Sequence, residues 1–273
     1  MDKERLNELR ELAKDIRRES LQMIYSARSG HPGGSLSIVE ILIALYYEVM
    51  NIKPDEPKWP GRDRFILSKG HACAALYSIL AKKGYFPTEE LSKFRKFGGI
   101  LQGHPDSRKI PGIEISTGSL GQGISVAVGM AIAAKLRNQK HRVFALLGDG
   151  ECDEGQVWEA ALSAAHRKLD NLTVIIDRNG VQLDGTTKEI LDLEPLVDKW
   201  AAFGFSVKEV DGHDISAMAE TLIEKNITCK PKVIIAHTIK GKGISYMEGK
   251  AEWHGRCPSE EQYKSALEEI NMS

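Results

Sequence analysis

Two short stretches carry residue types that could hold a cation against an anion. Leu146-Leu147-Gly148-Asp149-Gly150 sets a carboxylate between two glycines directly after an apolar run. Backbone can approach an anion closely there, and the carboxylate can meet its counter-ion. About thirty residues on, Ile175-Ile176-Asp177-Arg178-Asn179-Gly180 ends a second apolar run with an amide oxygen. Two readings compete with ion binding. Asp149, Glu151 and Asp153 suggest a calcium loop, but Gly155 comes one place late and Ala160 stands where the bidentate Glu belongs. A plain strand-to-helix turn capped by Asp remains the structural alternative.

Ser116-Thr117-Gly118-Ser119-Leu120-Gly121-Gln122-Gly123 is glycine-rich and opens a helical pattern, so its amides can face a phosphate. Its order, G-x-x-G-x-G, reverses that of a dinucleotide fold, and Gly112 to Ser116 makes a poor first strand. Among the eight histidines, four stand out in glycine- or proline-flanked loop contexts: Ser29-Gly30-His31-Pro32-Gly33, Lys69-Gly70-His71-Ala72, Gln102-Gly103-His104-Pro105 and Trp253-His254-Gly255. Any one alone is an ordinary packed or surface histidine. Four at glycine-flanked turns are hard to explain by packing.

The elements that must position these groups read as an α/β fold, a mostly parallel open sheet with helices on both faces. Strand-like runs cover 143–147, 172–177, 205–210 and 233–238. They alternate with helical patterns over 121–138, 154–167, 193–203 and 214–227. Leu6, Leu9, Ala13 and Ile16 mark an opening helix, and 38–50 reads as a core helix. Stretches 54–60 and 98–112 read as surface loops or lids. Such sheets take ligands outside the carboxyl ends of their strands, so the loops starting at Gly148, Asp177, Asp211 and Thr238 are where a ligand is expected.

Composition excludes other classes. Hydrophobic residues at 42 % with 27 % charged suit a globular core, and a formal net charge of -1 offers no field for nucleic acid or anionic lipid. No stretch approaches the roughly 20 apolar residues of a membrane span, and the charged N-terminus lacks a signal peptide, which points to the cytoplasm. Cys73, Cys152, Cys229 and Cys257 form no metal or disulfide pattern. Asn171-Leu172-Thr173 and Asn226-Ile227-Thr228 are chance glycosylation matches.

In this order, the four histidine segments, Ser-Thr-Gly-Ser-Leu-Gly-Gln-Gly and Gly-Asp-Gly resemble the N-terminal part of transketolase over nearly the whole chain. Glu154-Gly155, Glu159, the segment 181–185, Asp211-Gly212-His213-Asp214 and the segment 238–243, Thr-Ile-Lys-Gly-Lys-Gly, belong to the same likeness. The resemblance implies thiamine diphosphate with Mg2+, for which Ca2+ or Mn2+ could substitute. It implies metal ligands at Asp149, Asn179 and the Val181 carbonyl, completed by two diphosphate oxygens and a water. It places His71, Gly118, Ser119, Leu120, Gly148, Gly150, Glu154, Asn179 and His254 about the cofactor, with Leu120 on its aminopyrimidine. His31, His104 and His254 fall on the family's substrate side, where they would bind donor oxygens and move protons. Glu154 and Glu159 match interface carboxylates, with an ordinary surface role as the alternative.

A full transketolase continues into a pyrimidine-side domain, which carries the glutamate that activates the cofactor, and then a third domain. This sequence, read as a single cofactor-binding domain over 1–273, stops before both. The resemblance therefore implies the N-terminal subunit of a two-chain enzyme, two copies of each, transferring a two-carbon ketol unit between sugar phosphates in pentose phosphate metabolism through a cofactor carbanion and enamine. The alternatives are a subunit of another thiamine diphosphate enzyme, such as deoxyxylulose-phosphate synthase, and a non-catalytic cofactor-binding scaffold.

Overall fold

The computed structural model describes residues 1–225 and 229–272. Helix α1 (Lys3–Ala27) starts where the Asp2 carboxylate accepts the Arg5 N–H at 2.8 Å. It ends at Arg28, whose φ of 52° turns the chain out of the helix. Short helices α2 (Pro32–Leu36) and α3 (Val39–Ile43) follow, α3 passing into a π-helical turn over Ala44–Val49. Strand β1 (Arg64–Leu67) and helix α4 (Cys73–Lys82) come next. Then come α5 (Gln122–Leu136), β2 (Val143–Gly148), α6 (Gly155–His166) and β3 (Leu172–Arg178). The chain continues through α7 (Thr187–Ile190), α8 (Leu196–Ala202), β4 (Ser206–Asp211), α9 (Ile215–Ile223), β5 (Lys232–His237) and α10 (Glu260–Met272).

The five strands form one parallel sheet in the order β1-β2-β3-β5-β4. Side chains alternate across its faces, and two separate cores result. Phe65, Leu67, Phe144, Leu146, Ile175 and Ile234 point to the face covered by α1, α3, α4 and α9. Ile66, Ala145, Leu147, Val174, Ile176 and Ile235 point to the face covered by α5, α6 and α8. A smaller cluster of Leu21, Leu36, Trp253 and Ile270 fastens α10 and the segment before it to α1. No helix among the described residues is long and apolar enough to cross a membrane.

The four expected strands stand within a residue or two of their expected bounds, and the stretches 54–60 and 98–112 contain no strand or α-helix. The helix expected from 193 begins at Leu196, because Pro195 occupies the N-cap in an extended conformation. The helix expected over 214–227 is α9, and its last expected residues, with the glycosylation match at 226–228, lie outside the described residues. β1, α4 and α10 were not expected.

Strand register brings the loop residues together. Leu67 pairs with Leu146, Gly148 with Asp177, and Asp177 with Ala236, so four strands end level and deliver their next residues to one edge. Ile175, fully buried at the centre of β3, tests this core. Ile175→Ala is expected to lower stability by about 2–5 kcal/mol in urea denaturation with an unchanged denaturant slope.

Candidate active site

The residues delivered to that edge are held by an ion pair out of contact with water. The Lys69 Nζ, just past β1, lies 2.6 Å from Asp177 Oδ2 at the end of β3, with the two side chains 2 % and 0 % exposed. Lys69 also donates to the Gly34 carbonyl at 2.9 Å, which brings α2 against the sheet. Asp177 accepts from Ser37 Oγ at 2.8 Å, from Asn179 Nδ2 at 2.8 Å and from the Thr238 hydroxyl. Burial pushes its pKa up, but the Lys69 charge and these bonds outweigh that and hold the carboxylate below its ordinary range.

A second buried carboxylate ties three loops. Glu151 accepts from the Ser68 hydroxyl, from the Gly121 N–H at 2.9 Å and from the Gly148 N–H at 3.1 Å. Two glycine amides that the sequence offered to a phosphate are therefore spent on Glu151. What they secure is the turn into α5, where Gly121 has φ 76° and its absent Cβ would meet Glu154 Cβ at 2.9 Å.

Between these anchors lies a cleft of about 180 Å³ whose lining includes Gly34, Lys69, His71, Leu120, Asp149, Gly150, Asn179, Val181, Gln182, Lys240 and His254. Asp149 is 2 % exposed and accepts from the Gly150 N–H at 2.8 Å and the Gly180 N–H at 2.6 Å. Burial, with the negative charge of Asp177 adding, raises its pKa to about 6. Asn179 gives its amide nitrogen to Asp177, so its Oδ1, which takes the Val181 N–H at 3.1 Å, is fixed as an acceptor. Lys240 Nζ donates to the Val181 and Gln182 carbonyls and to His254 Nδ1, each at 3.1 Å.

The four histidines converge. Ring centroids of His31 lie 5.2 Å from His71, 6.1 Å from His104 and 5.4 Å from His254, and those of His71 and His254 are 5.0 Å apart. Burial, then the Arg95 guanidinium, hold His31 down to about 4. Burial and Lys240 hold His254 down to about 3. Burial and Lys69 hold His71 well below the ordinary value, and burial and Arg95 lower His104. Lys240 and Arg95 can only donate, so His254 Nδ1 accepts and Nε2 carries the proton. His31 Nδ1 faces an Arg95 nitrogen at 3.5 Å with the same polarity.

Leu120, Gly148, Gly150, Asp149, Asn179, Val181, His71 and His254 thus share one cleft, with His31 and His104 beside it. Gly118, with φ 153°, backs His104, which a Cβ there would strike at 2.9 Å. Ser119, Glu154 and Glu159 stand exposed outside the cleft lining, and the Asp211 loop opens away from it. Lys69, Glu151, Gln182, Lys240 and Arg95 were missed, although a lysine beside the Gly-His pair and one inside Lys-Gly-Lys-Gly were signals of a kind.

For a cation, the available donors are one carboxylate, one amide oxygen and one carbonyl, all hard oxygens, and among the described residues the cation paired with Asp149 is Arg178, at 3.6 Å. No group of three or more His, Cys, Asp or Glu side chains forms a metal cluster among the described residues. The set fits an ion such as Mg2+, which takes one or two carboxylates and completes its shell with phosphate oxygens and water. The Lys240 ammonium, which stands in the same cleft, fits the phosphates themselves.

Residues 8–272 match the family described as transketolase, thiamine diphosphate binding domain. The chain is 46 % identical over 256 residues to a subunit of the apulose-4-phosphate transketolase of Phocaeicola vulgatus, covering 93 % of this chain and 91 % of that one. It is 47 % identical over 264 residues to a 6-deoxy-6-sulfo-D-fructose transketolase subunit of a Clostridium species, covering 96 % of each. The crystal structure of transketolase from Campylobacter jejuni superposes with a TM-score of 0.93 at 36 % identity, covering 99 % of this chain but 43 % of that one.

Two measurements probe the site. Lys69→Met leaves the Asp177 charge buried among neutral donors and is expected to cost about 3–5 kcal/mol in urea denaturation. Imidazole NMR titration should put all four histidine midpoints below 6.5, near 4 for His31. Each is then neutral in the fold and protonates first in the unfolded chain, so its contribution to stability is present above about pH 6.5 and lost as pH falls, for His31 through about 4. A midpoint at or above 6.5 would contradict the burial argument.

Proposed function

The chain belongs to the transketolase thiamine diphosphate binding family, and on that premise we propose that residues 1–273 act as one domain, the cofactor-holding subunit of a two-chain transketolase. The observation that carries this reading is the convergence of His31, His71, His104 and His254 on the same cleft edge as Asp149, Asn179 and Val181. With its partner the enzyme moves a two-carbon ketol unit from a ketose phosphate, or a related anionic ketose, to an aldose phosphate.

Asp149, Asn179 and the Val181 carbonyl hold Mg2+, and manganese or calcium can replace it. Lys240, His71 and His254, with the backbone at Gly118 and Gly150, bind the diphosphate. The cofactor, when bound, supplies the nucleophilic carbon on which the two-carbon unit is carried. The chain's own part is to bind and orient. His254, with its proton on Nε2, donates to a donor-sugar oxygen, and His31 and His104 bind the neighbouring hydroxyls. Because His31 and His254 stay neutral with Nδ1 engaged by Arg95 and Lys240, Nε2 is the nitrogen of each that can give its proton and take it back as bonds change.

The partner supplies the pyrimidine-side domain and its activating glutamate, and two copies of each chain close the site. Helix α5 supports a partner on that side, being apolar all round, as buried helices are. Its outward positions are nevertheless open, with Leu136 79 % exposed and free space beyond Gly129. Glu154, Glu159 and Leu162 are exposed on neighbouring α6. The relatives named for apulose 4-phosphate and for a sulfonated ketose share this half, so the sugar's anionic end is gripped by the partner. The place of action is the cytoplasm, and the pathway is carbohydrate metabolism of the pentose phosphate type.

The test is to co-purify the chain with a partner carrying the pyrimidine-side domain. Ketol transfer from xylulose 5-phosphate to ribose 5-phosphate is expected. Product only from pyruvate with glyceraldehyde 3-phosphate would move the assignment to a synthase, and cofactor binding without turnover would make the chain a scaffold. In the active pair, Asp149→Ala should abolish magnesium-dependent cofactor binding in calorimetry. His254→Ala should lower kcat/KM by roughly 10²–10⁴.

A further inference from the structure

The Asp211-Gly212-His213-Asp214 turn lies off the cleft and contributes no side chain to its lining. Its imidazole is nonetheless fully committed. His213 Nε2 accepts the backbone N–H of Ile239 at 2.9 Å, so the lone pair sits on Nε2 and the proton on Nδ1. Nδ1 then donates to Glu40 Oε2 at 2.9 Å. The His213 backbone is set in turn by the Asp211 carboxylate, which accepts its N–H at 2.8 Å.

Glu40, on α3, is 6 % exposed, and its carboxylate also takes both ends of a guanidinium from α1: Arg17 Nη1 to Oε1 at 2.6 Å and Nη2 to Oε2 at 3.0 Å. The remaining Arg17 nitrogen, Nε, donates to the Lys242 carbonyl at 3.0 Å. One buried carboxylate therefore grips the strap 238–243 at two places, Ile239 through His213 and Lys242 through Arg17. Lys240 stands between them, with its ammonium in the cleft on the Val181 and Gln182 carbonyls and His254.

The strap needs such pins. Gly241 and Gly243 have φ of 78° and 92°, so the backbone just after Lys240 is free to swing where other residues would resist. A Cβ on Gly243 would meet Arg17 Cδ at 3.0 Å, which shows how closely the pin lies against the strap. On the cleft side the Gly241 N–H reaches the Gly33 carbonyl at 3.0 Å, and the Thr238 hydroxyl reaches Asp177. The outer pins set the height at which the strap lies between these contacts.

We propose that His213, acting through Glu40 and Arg17, is a positioning residue that holds the 238–243 strap so that the Lys240 ammonium projects into the cleft. The proposal rests on reading that cleft as the diphosphate site. It deepens that reading by giving a task to a histidine that touches neither cofactor nor sugar.

The experiment compares His213→Leu, which removes both hydrogen bonds, with His213→Gln, whose amide oxygen can still accept from Ile239. Hydrogen exchange is followed in the purified chain without cofactor. His213→Leu is expected to speed exchange across 239–242 by about tenfold while β3 stays protected, and His213→Gln to restore most of the protection. Thiamine diphosphate with magnesium is then titrated into the two-chain enzyme. His213→Leu should weaken affinity about tenfold, and the same change made on Lys240→Met should add almost nothing, because the histidine acts through that lysine. Unchanged strap exchange, or a His213→Leu loss that persists in full on Lys240→Met, would overturn the proposal. If Lys240→Met alone leaves affinity unchanged, the diphosphate reading fails, and strap exchange then decides the positioning role by itself.

Discussion

The Lys69–Asp177 ion pair is the interaction on which the rest of this structure depends. A lone ammonium or carboxylate at that depth would be costly, and each is tolerated because the other lies 2.6 Å away with further donors around it. The pair also decides geometry. Lys69 draws α2 and its preceding histidine loop onto the sheet through Gly34, and Asp177 orients the Asn179 amide and fastens the strap that carries Lys240 through Thr238. Four chain segments distant in sequence are thereby brought to one edge, which parallel pairing alone would leave level but unconnected.

Glu151 performs a similar task one step away, closing the Ser68, Gly121 and Gly148 turns onto one carboxylate. Together the two acids fill the space that a packed hydrophobic layer would occupy elsewhere. The result is a cleft floor made of fixed polar bonds, rigid because every member is satisfied. Rigidity of this kind is what lets neutral histidines keep defined tautomers instead of sampling both.

Much of this was legible in the sequence. The apolar runs that became β2, β3 and β5 read clearly because strands buried on both faces are almost continuously apolar. The Gly-Asp-Gly turn, Asn179 and the four histidines read clearly because glycine marks close backbone approach and histidine marks proton chemistry. The rest was hidden for physical reasons. β1 is four residues long and begins with an arginine, too short for its period to show. α4, Cys73–Lys82, is apolar on every side and carries no stripe to recognise. Lys69, Glu151 and Lys240 look like surface charges in a one-dimensional pattern, and only the tertiary register shows that they are buried against partners. Glu151 reads as a calcium-loop residue by spacing alone, and its real work, holding glycine amides, leaves no spacing signature.

Two groups lining the cleft carry opposite imbalances. Asp149 is pushed up to about 6 by burial beside another carboxylate, and Lys240 is pushed down to about 8 by burial beside another ammonium. A cation alone would relieve the carboxylate and leave the ammonium strained, and an anion alone would do the reverse. A ligand pair of both signs relieves both at once and adds its own mutual attraction. A ligand that brings both charges together is therefore favoured over either charge alone.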